Sequence, residues 1–549
     1  MAKFLRKFLK KKKPKNKDTV EVKVSSAAED YEGLHFYEDV EESEYEDVEN
    51  KQSQTSSESD ESQISSYLLV AAIDLGTAAS GYAFAFRNDF QTNPVKISTH
   101  IWTSATTALS TLKTPTCILF NPKLQFEAFG YDAQNKYSSL LTEEGDQAKD
   151  WYFFQNFKML LYEAKDITFQ TEIKAENSKS VAAITVFSES IKYLKTHLIE
   201  RCCKMTVGLE DSDIIWTLTV PAIWNDKAKL FMRRAAELAG IPRKQLLLAL
   251  EPEAGAIFCT QLPVEVKRQD DQNDIHTLEP GSCYMVVDAG GGTVDITIHE
   301  ILSGGHIREL HAANGGPWGG YTVNKAYLNI LKELFSTEVF EEFCQTCVDD
   351  YIEIQRDFEA KKLSTKIDGS NMVVRIPTSL LQIYTKTCGN ELDLNSRISS
   401  LDKYNNFIEF KKGKMIIREN IFLDLFRETS EAIVNHIGKL IIANENISSI
   451  LLVGGFSESP ILQKKIRETF KTRNIIIPHE ASLSVLKGAV LFGRDCGIIS
   501  SRVLRCTYGI ECSNTFIEGL HDPSKKFLSK AGLPKCRDVF GIIAKWVNR

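Results

Sequence analysis

Nowhere in its 549 residues does the chain run through about eighteen consecutive apolar side chains, so no membrane-spanning helix is expected. Its first residues are basic, yet neither a long apolar core nor a small-residue cleavage site follows them, which argues against a secretory signal. Cysteine is sparse. Twelve residues scattered over so long a chain fit reduced, mostly buried thiols in the cytoplasm rather than a disulfide framework. Cys344-x-x-Cys347 is the only CxxC, and no second pair stands at zinc-ribbon spacing; it falls in an expected helix over 339–348 and reads as packing. The pattern Gly-x-x-x-x-Gly-Lys-Ser/Thr is missing too, which excludes a Walker-type phosphate loop. A formal net charge of -7 leaves the body of the chain near neutrality, so no nucleic-acid partner is expected of it.

What charge there is concentrates in residues 1–66. Residues 1–17 carry nine Lys or Arg and no acid, whereas residues 29–49 carry eleven Asp or Glu and no Lys or Arg. Rich in Lys, Glu and Ser and poor in apolar periodicity, this stretch has a disordered signature. FYEDVEE (36–42) is echoed by EYEDVEN (44–50), each copy setting a tyrosine, Tyr37 or Tyr45, among acids. The repeat reads either as a solvated acidic tail or as a pair of docking or phosphorylation motifs for unidentified protein partners. The Phe4, Leu5, Phe8, Leu9 stripe among lysines suits a basic amphipathic helix in weak contact with an anionic membrane surface. KKKKPKNK (10–17) suits a nuclear address equally well.

From Tyr67 the texture changes, and with 43% hydrophobic residues overall the chain is long enough for several packed domains. YLLVAAIDLG reads as a buried strand ending in a turn, and GYAFAF as an alternating strand that returns from it. Further strands are expected at 214–220, 284–288 and 293–300. Helices are expected at 225–239, 252–262, 322–335, 340–364, 420–443, 459–470 and 482–493. Strands alternating with helices predict an α/β architecture.

Two stretches share one plan. AAIDLGTAASGYAFAF (71–86) and MVVDAGGGTVDITIHE (285–300) each give an apolar strand, an Asp, a Gly/Thr turn and a returning strand. Backbone N–H groups at glycine turns approach phosphate oxygens closely because no Cβ intervenes. An Asp closing each strand suits Mg²⁺, directly or through water, and the Thr hydroxyl suits phosphate. Facing each other, two such hairpins would clamp one triphosphate. Around them, WTLTVPAIWND (216–226) reads as a strand stopped by Pro221 with a helix starting near Asn225. ALEPEAGAIF (249–258) puts Glu251 at a proline-started helix. ILLVGGFSESPIL (450–462) is a strand, a Gly454-Gly455 turn and a helix, where backbone would lie flat against a nucleoside. SLSVLKGAVLFG (482–493) is a helix whose Ala489 and Gly493 offer a small face for another helix, as at a hinge.

Taken in order, the motifs at 74–82, 219–226, 249–258, 286–297, 319–324, 450–460 and 483–493 resemble the actin, sugar-kinase and heat-shock ATPase superfamily. VPAIWND, EPEAGAI, DAGGGTVD, Gly319-Gly320 with Asn324, and LLVGGFSESP are similar to the seventy-kilodalton heat-shock proteins. GTAASGYAFAF, FKMLLY (157–162), NGGPWGG (314–320) and RDFEAKKLS (356–364) resemble the divergent type-12 branch of that family. The resemblance spans roughly residues 67–510.

That resemblance implies a two-lobed, actin-like ATPase fold, with duplicated ribonuclease-H-like domains around a central nucleotide cleft. Residues 67–500 would form it, lobe I from about 67–256 plus 486–500 and lobe II from about 257–485. Residues 501–549 would be a short extension or the truncated start of a peptide-binding domain, too short for a full sandwich and lid. By the same resemblance Asp74, Gly76 and Thr77 match the first phosphate hairpin, and Asp288, Gly290, Gly291, Gly292 and Thr293 the second, with Asp295 following. Asp74 and Asp288 would serve the metal. Glu251 matches the acid that positions metal-bound water, Lys158 the lysine that orients the attacking water, and Pro221 a proline of interdomain signalling. Gly319 and Gly320 would face the nucleotide, Gly454, Gly455 and Phe456 the adenosine, and Lys361, Lys362 and Ser364 the adenine.

The chain departs from the family pattern at three places. Gly76-Thr77-Ala78 stands where Gly-Thr-Thr is usual, Tyr321-Thr322 follows Gly319-Gly320 where an acid is usual, and SRVLRCTYGIEC replaces the hydrophobic-acidic linker. The leading reading is a Mg-ATP-binding, slow ATPase whose lobe closure switches a partner surface. A second is a non-catalytic, nucleotide-gated signalling scaffold. A third, a small-molecule kinase, needs a carboxylate base at a sugar pocket that no motif supplies.

Overall fold

Residues 69–75 and 214–220 are apolar almost without a break, the pattern of strands covered on both faces rather than one. They become β1 (Leu69–Leu75) and, after β2 (Ala79–Phe86), β3 (Ser98–Thr99) and β4 (Thr114–Pro115), the parallel neighbour β5 (Ile214–Val220). Every residue of β1 and β5 is buried. With β6 (Leu246–Leu250) the first sheet runs β6-β5-β1-β2-β3, and β4 pairs with β2 through Ser80↔Thr114 and Ala79↔Pro115. Helices α1 (Tyr131–Glu143), α2 (Ala183–Met205), α3 (Asp226–Leu238) and α4 (Glu251–Thr260) follow the strands they connect. As expected, Asn225 starts α3: its side chain accepts the Ala228 N–H at 2.8 Å.

The second sheet repeats the plan. β7 (Cys283–Ala289) pairs antiparallel with β8 (Val294–Ile301), which pairs with β9 (Ile307–Gly316). On its other side β7 lies parallel to β10 (Ser449–Val453), which in turn adjoins β11 (Asn474–Ile476). β12 (Ile499–Ser501) closes the order β11-β10-β7-β8-β9-β12. In both sheets a central strand with Asp at its penultimate position has its hairpin partner on one side and parallel strands on the other. Among the helices of this part are α5 (Gly320–Phe335), α6 (Thr337–Thr346), α7 (Val348–Ser364), α8 (Glu419–Asp424), α9 (Arg427–Ala443), α10 (Pro460–Thr469) and α11 (Ala481–Arg494).

Two long helices expected from the sequence are each broken. The run 340–364 divides at Cys347 (φ -127°, ψ 55°), and α7 restarts with Asp349 and Asp350 in its first turn, where acids suit a helix N-terminus. Cys347 thus sits in the break instead of on the helix with Cys344, and both pack against the apolar core of this half. The run 420–443 divides at Leu425 and Phe426, both buried.

Between the sheets lies a layer made by α4 and α11. Ala254, Ala256, Ile257, Leu486, Ala489 and Val490 pack there with Val70, Ala72, Val286 and Val453 of the strands. A Cβ on Gly488 would fall 1.7 Å from the Ala254 carbonyl oxygen, so the two helices meet backbone to backbone at that point. The small face of α11 works differently from the Ala489 and Gly493 pairing expected of it. Gly493 lies against Val70 and Thr217 of the first sheet, and Gly488 receives the helix. A second bridge joins α1 and α7, where Arg356 Nε donates to Gln134 Oε1 at 2.6 Å and Ile352 joins Cys117, Tyr137 and Leu140.

The computed structural model describes residues 67–545 apart from 105–109, 144, 165, 263–278, 366 and 390–392. The tail over 1–66, with Tyr37, Tyr45, the Phe4–Leu9 stripe and the basic run 10–17, lies outside the described residues. Among the described residues the chain divides into two compact units, one ending at Arg502 and one starting at Val503. Within the latter, β13 (Tyr508–Thr515), β14 (Lys526–Leu528) and β15 (Pro534–Ala544) form an antiparallel sheet in the order β13-β15-β14. Among the described residues no helix is long and apolar enough to cross a membrane.

Candidate functional site

Each central strand delivers a carboxylate at its end. Asp74 is the penultimate residue of β1 and Asp288 that of β7. Both oxygens of the buried Asp74 are engaged: Lys113 Nζ donates to Oδ2 at 2.7 Å, and Thr219 Oγ1, on the neighbouring β5, donates to Oδ1 at 2.8 Å. Burial opposes the charge of Asp74, but Lys113 and Lys158 outweigh it and hold the carboxyl below the ordinary aspartate range. Asp288 is equally buried, and among the described residues no donor faces its carboxylate. Burial, followed by the charges of Glu251, Asp295 and Asp74, pushes its pKa well above the usual range.

Lys158 lies in a turn of 3-10 helix (Phe157–Met159) entered through Asn156 at φ 53°. Its Nζ stands 2.6 Å from Glu251 Oε1 and 5.4 Å from the centre of the Trp224 ring. Burial works against the ammonium, yet Glu251 and Asp74 keep it protonated and raise its pKa. Glu251 is the first residue of α4, ahead of Pro252, so the helix N-terminus faces its charge. Burial drives Glu251 up to about 7; Lys158 pulls it down, and Asp74 and Asp295 add to the rise. Asp295 of β8 accepts the Ile223 N–H at 2.8 Å and the Thr293 hydroxyl at 3.0 Å. The turn opened by Pro221 is thereby tied to the second hairpin, and Thr293 is turned toward Asp295.

The glycine turn is bare because backbone and side chains crowd it. A Cβ on Gly291 would lie 2.9 Å from the Ala78 methyl; one on Gly292 would lie 2.6 Å from Thr77 Oγ1 and 2.3 Å from Met159 Sδ. The tips of the two hairpins therefore touch. The first tip is braced by Thr116, whose hydroxyl donates to the Gly76 carbonyl at 2.8 Å and whose N–H donates to the Ala78 carbonyl at 3.0 Å. The second is gripped by α5: the Gly319, Gly320 and Tyr321 N–H groups donate to the carbonyls of Gly292, Gly290 and Gly291 at 3.1, 3.1 and 2.8 Å. Gly319 and Gly320 thus spend their amides, orphans of a helix start, on shaping the turn. Among the described residues the N–H groups of Gly291 and Gly292 meet no acceptor, which leaves them for an anion.

The residues expected at the adenosine divide. Lys362 is buried and donates to the Gly320 carbonyl at 3.1 Å, Asn324 Oδ1 at 3.0 Å and Glu359 Oε2 at 2.7 Å, with the Phe456 ring centre 5.9 Å away. Burial lowers its pKa against the pull of Glu359. Lys361 and Ser364, three residues apart and so on another helix face, point elsewhere: Lys361 pairs with Asp357, and the Ser364 hydroxyl is bonded to the Ala360 carbonyl of its own helix. Gly454 takes φ +85°, and a Cβ there would fall 2.3 Å from Asp288 Oδ1, so this turn lies directly against the Asp288 carboxylate. A Cβ on Gly455 would meet open space.

Motif reading overlooked Lys113 and Thr219, the two partners of Asp74. Thr219 was signalled by its place beside Pro221 on the strand parallel to β1. Lys113 had no such signal, because its side chain reaches Asp74 from 39 positions away. Four carboxylates (Asp74, Glu251, Asp288, Asp295) act on one another here against two ammonium groups, Lys113 and Lys158. Such a buried excess of negative charge fits a divalent cation. Among the described residues no three His, Cys, Asp or Glu side chains converge as direct ligands, so Mg²⁺ would keep oxygens of water and phosphate in its shell.

No family model matches the chain. Known proteins do. Heat shock 70 kDa protein 12A of Homo sapiens is 33% identical over 534 residues, covering 88% of this chain and 78% of the relative. The Mus musculus protein 12A is 33% identical over 86% of this chain and 76% of its own. Heat shock 70 kDa protein 12B of Homo sapiens is 32% identical over 87% of this chain and 76% of its own length. The mixed α/β arrangement of sheets and helices fits the actin-like ATPase fold that the motifs implied.

Proposed function

The chain belongs to the heat shock 70 kDa protein family, in the branch of proteins 12A and 12B, and from that premise we propose that it binds Mg-ATP and hydrolyses it slowly, as a chaperone-related switch. One observation carries this reading: Asp74, Asp288 and Asp295 of two matching hairpins act on one another and on Glu251, Lys113 and Lys158, beside the Gly291 and Gly292 N–H groups, which meet no acceptor among the described residues. When bound, Mg²⁺ neutralises phosphate charge and so favours departure of the terminal phosphoryl group. Asp288 would hold that cation, since no donor faces its carboxylate among the described residues. Gly291 and Gly292 donate to phosphate oxygens, with Gly76 and Thr77 on the facing tip. Glu251, with a pKa near neutrality, accepts a hydrogen bond from the attacking water, and Lys158 fixes Glu251 in place. Gly454, Gly455 and Phe456 lie against the nucleoside, and Lys362 secures that wall from behind.

The repeated strand plan and the helical layer of α4 and α11 support duplicated lobes around a cleft. Closure on ATP would tilt the lobes about that layer and expose or hide a surface for protein partners. A cytoplasmic location suits twelve cysteines scattered along the chain with no disulfide-framework spacing. A second reading, a nucleotide-gated scaffold without turnover, is favoured by Ala78, whose methyl stands at the hairpin tip where the family pattern has a hydroxyl. Single-turnover hydrolysis of ATP by the purified chain separates the two. Conversion to ADP supports the ATPase; tight binding without conversion supports the scaffold.

A further inference from the structure

Lys113 belongs to none of the motifs shared with the heat-shock ATPases, yet its ammonium lies at one of the two carboxylates expected to serve the metal. Its position is built. Thr114 and Pro115 pair with Ser80 and Ala79 on β2, which fixes the backbone beside the first hairpin. The stem crosses β2 at Gly81, where a Cβ would lie 3.2 Å from Lys113 Cγ. From there Nζ reaches Asp74 Oδ2 at 2.7 Å while Thr219 holds Oδ1, so a cation approaching Asp74 would have to displace one of them. An ammonium has three N–H donors, and among the described residues only Asp74 accepts from this one. The side chain is 17% exposed, so the remaining donors stay within reach of a ligand. Asp288, across the hairpin tips, feels the Lys113 charge at a distance but among the described residues accepts no hydrogen bond from it or any other donor. The two strand-end carboxylates are therefore unequal: one is neutralised by the chain itself and one is left for a cation.

We propose that Lys113 is a phosphate-binding residue that takes over part of the divalent cation's role, bridging Asp74 to the nucleotide's terminal phosphates, so that ATP and ADP bind with little dependence on Mg²⁺. This rests on the reading of the site as a nucleotide site. The test is calorimetric titration of ATP and ADP into the full-length chain, once with MgCl₂ and once with EDTA. In the native chain the two affinities are expected to differ by less than about threefold. In Lys113→Met, where the cation must supply the missing charge, the difference should exceed about tenfold, and Lys113→Arg should restore the native ratio. A native ratio above about tenfold overturns the proposal and leaves the nucleotide reading standing, as does a low ratio that Lys113→Met does not change. Absence of binding in both buffers overturns both. Thermal unfolding reports whether Lys113→Met folds; should it not, the native ratio decides.

Discussion

At the scale of single residues, the pair Lys158–Glu251 is where the proposed chemistry is most exposed to test. Glu251→Gln keeps the shape and removes the acceptor, so hydrolysis should fall by at least about hundredfold while ATP affinity stays within about threefold. Hydrolysis by the native chain should rise with pH through about 7 as Glu251 ionises, and a rate-pH profile of Glu251→Gln should lack that limb. The same shift bears on stability with a definite sign. The folded chain holds this proton to about pH 7, whereas the unfolded chain releases it in the ordinary glutamate range. The contribution of Glu251 to stability is thus full at low pH and is lost as pH rises through about 7, which denaturation of the nucleotide-free chain at several pH values will register. Asp74, Asp288 and Glu251 were legible because each sits at a strand or helix end marked by Gly or Pro. Lys113 was not, since nothing local to a side chain records what it reaches across the fold.

Among the elements, the crossing of α4 and α11 carries the sharpest demand. With a Cβ at Gly488 only 1.7 Å from the Ala254 carbonyl oxygen, Gly488→Ala must push the helices apart. The expected loss is about 1–3 kcal/mol, read as a lower urea midpoint with an unchanged slope. The sequence displayed a small face on this helix but not the division of labour along it. Which glycine meets a helix and which meets a strand depends on how α11 is rotated, a tertiary fact. Strand ends, proline stops and the Asn225 cap were legible because their causes are local. The breaks at Cys347 and at Leu425–Phe426 were missed because apolar periodicity continues across them while the backbone turns. Residues with helical spacing on either side of a break look the same as residues on one helix.

For the molecule as a whole, the repeated plan of the two sheets was visible only as two similar hairpins. The strand order, with β5 and β10 parallel to the central strands, is set by pairings too distant in sequence to read. One ion pair ties the end of the larger unit into its middle layer. Arg502 donates to both oxygens of Glu253 at 2.7 Å, and Glu253, on α4 two residues from Glu251, is only 1% exposed. Arg502→Met would strand that carboxylate and should cost about 2 kcal/mol after allowing for the partial exposure of the arginine, measured by denaturant unfolding. Together the two hairpins should form one nucleotide site. A structure of the 549-residue chain with Mg-ADP decides this. The diphosphate should lie between Gly76–Thr77 and Gly290–Thr293, with the adenosine against Gly454–Phe456. Nucleotide bound elsewhere, or none at saturating concentration, would contradict it.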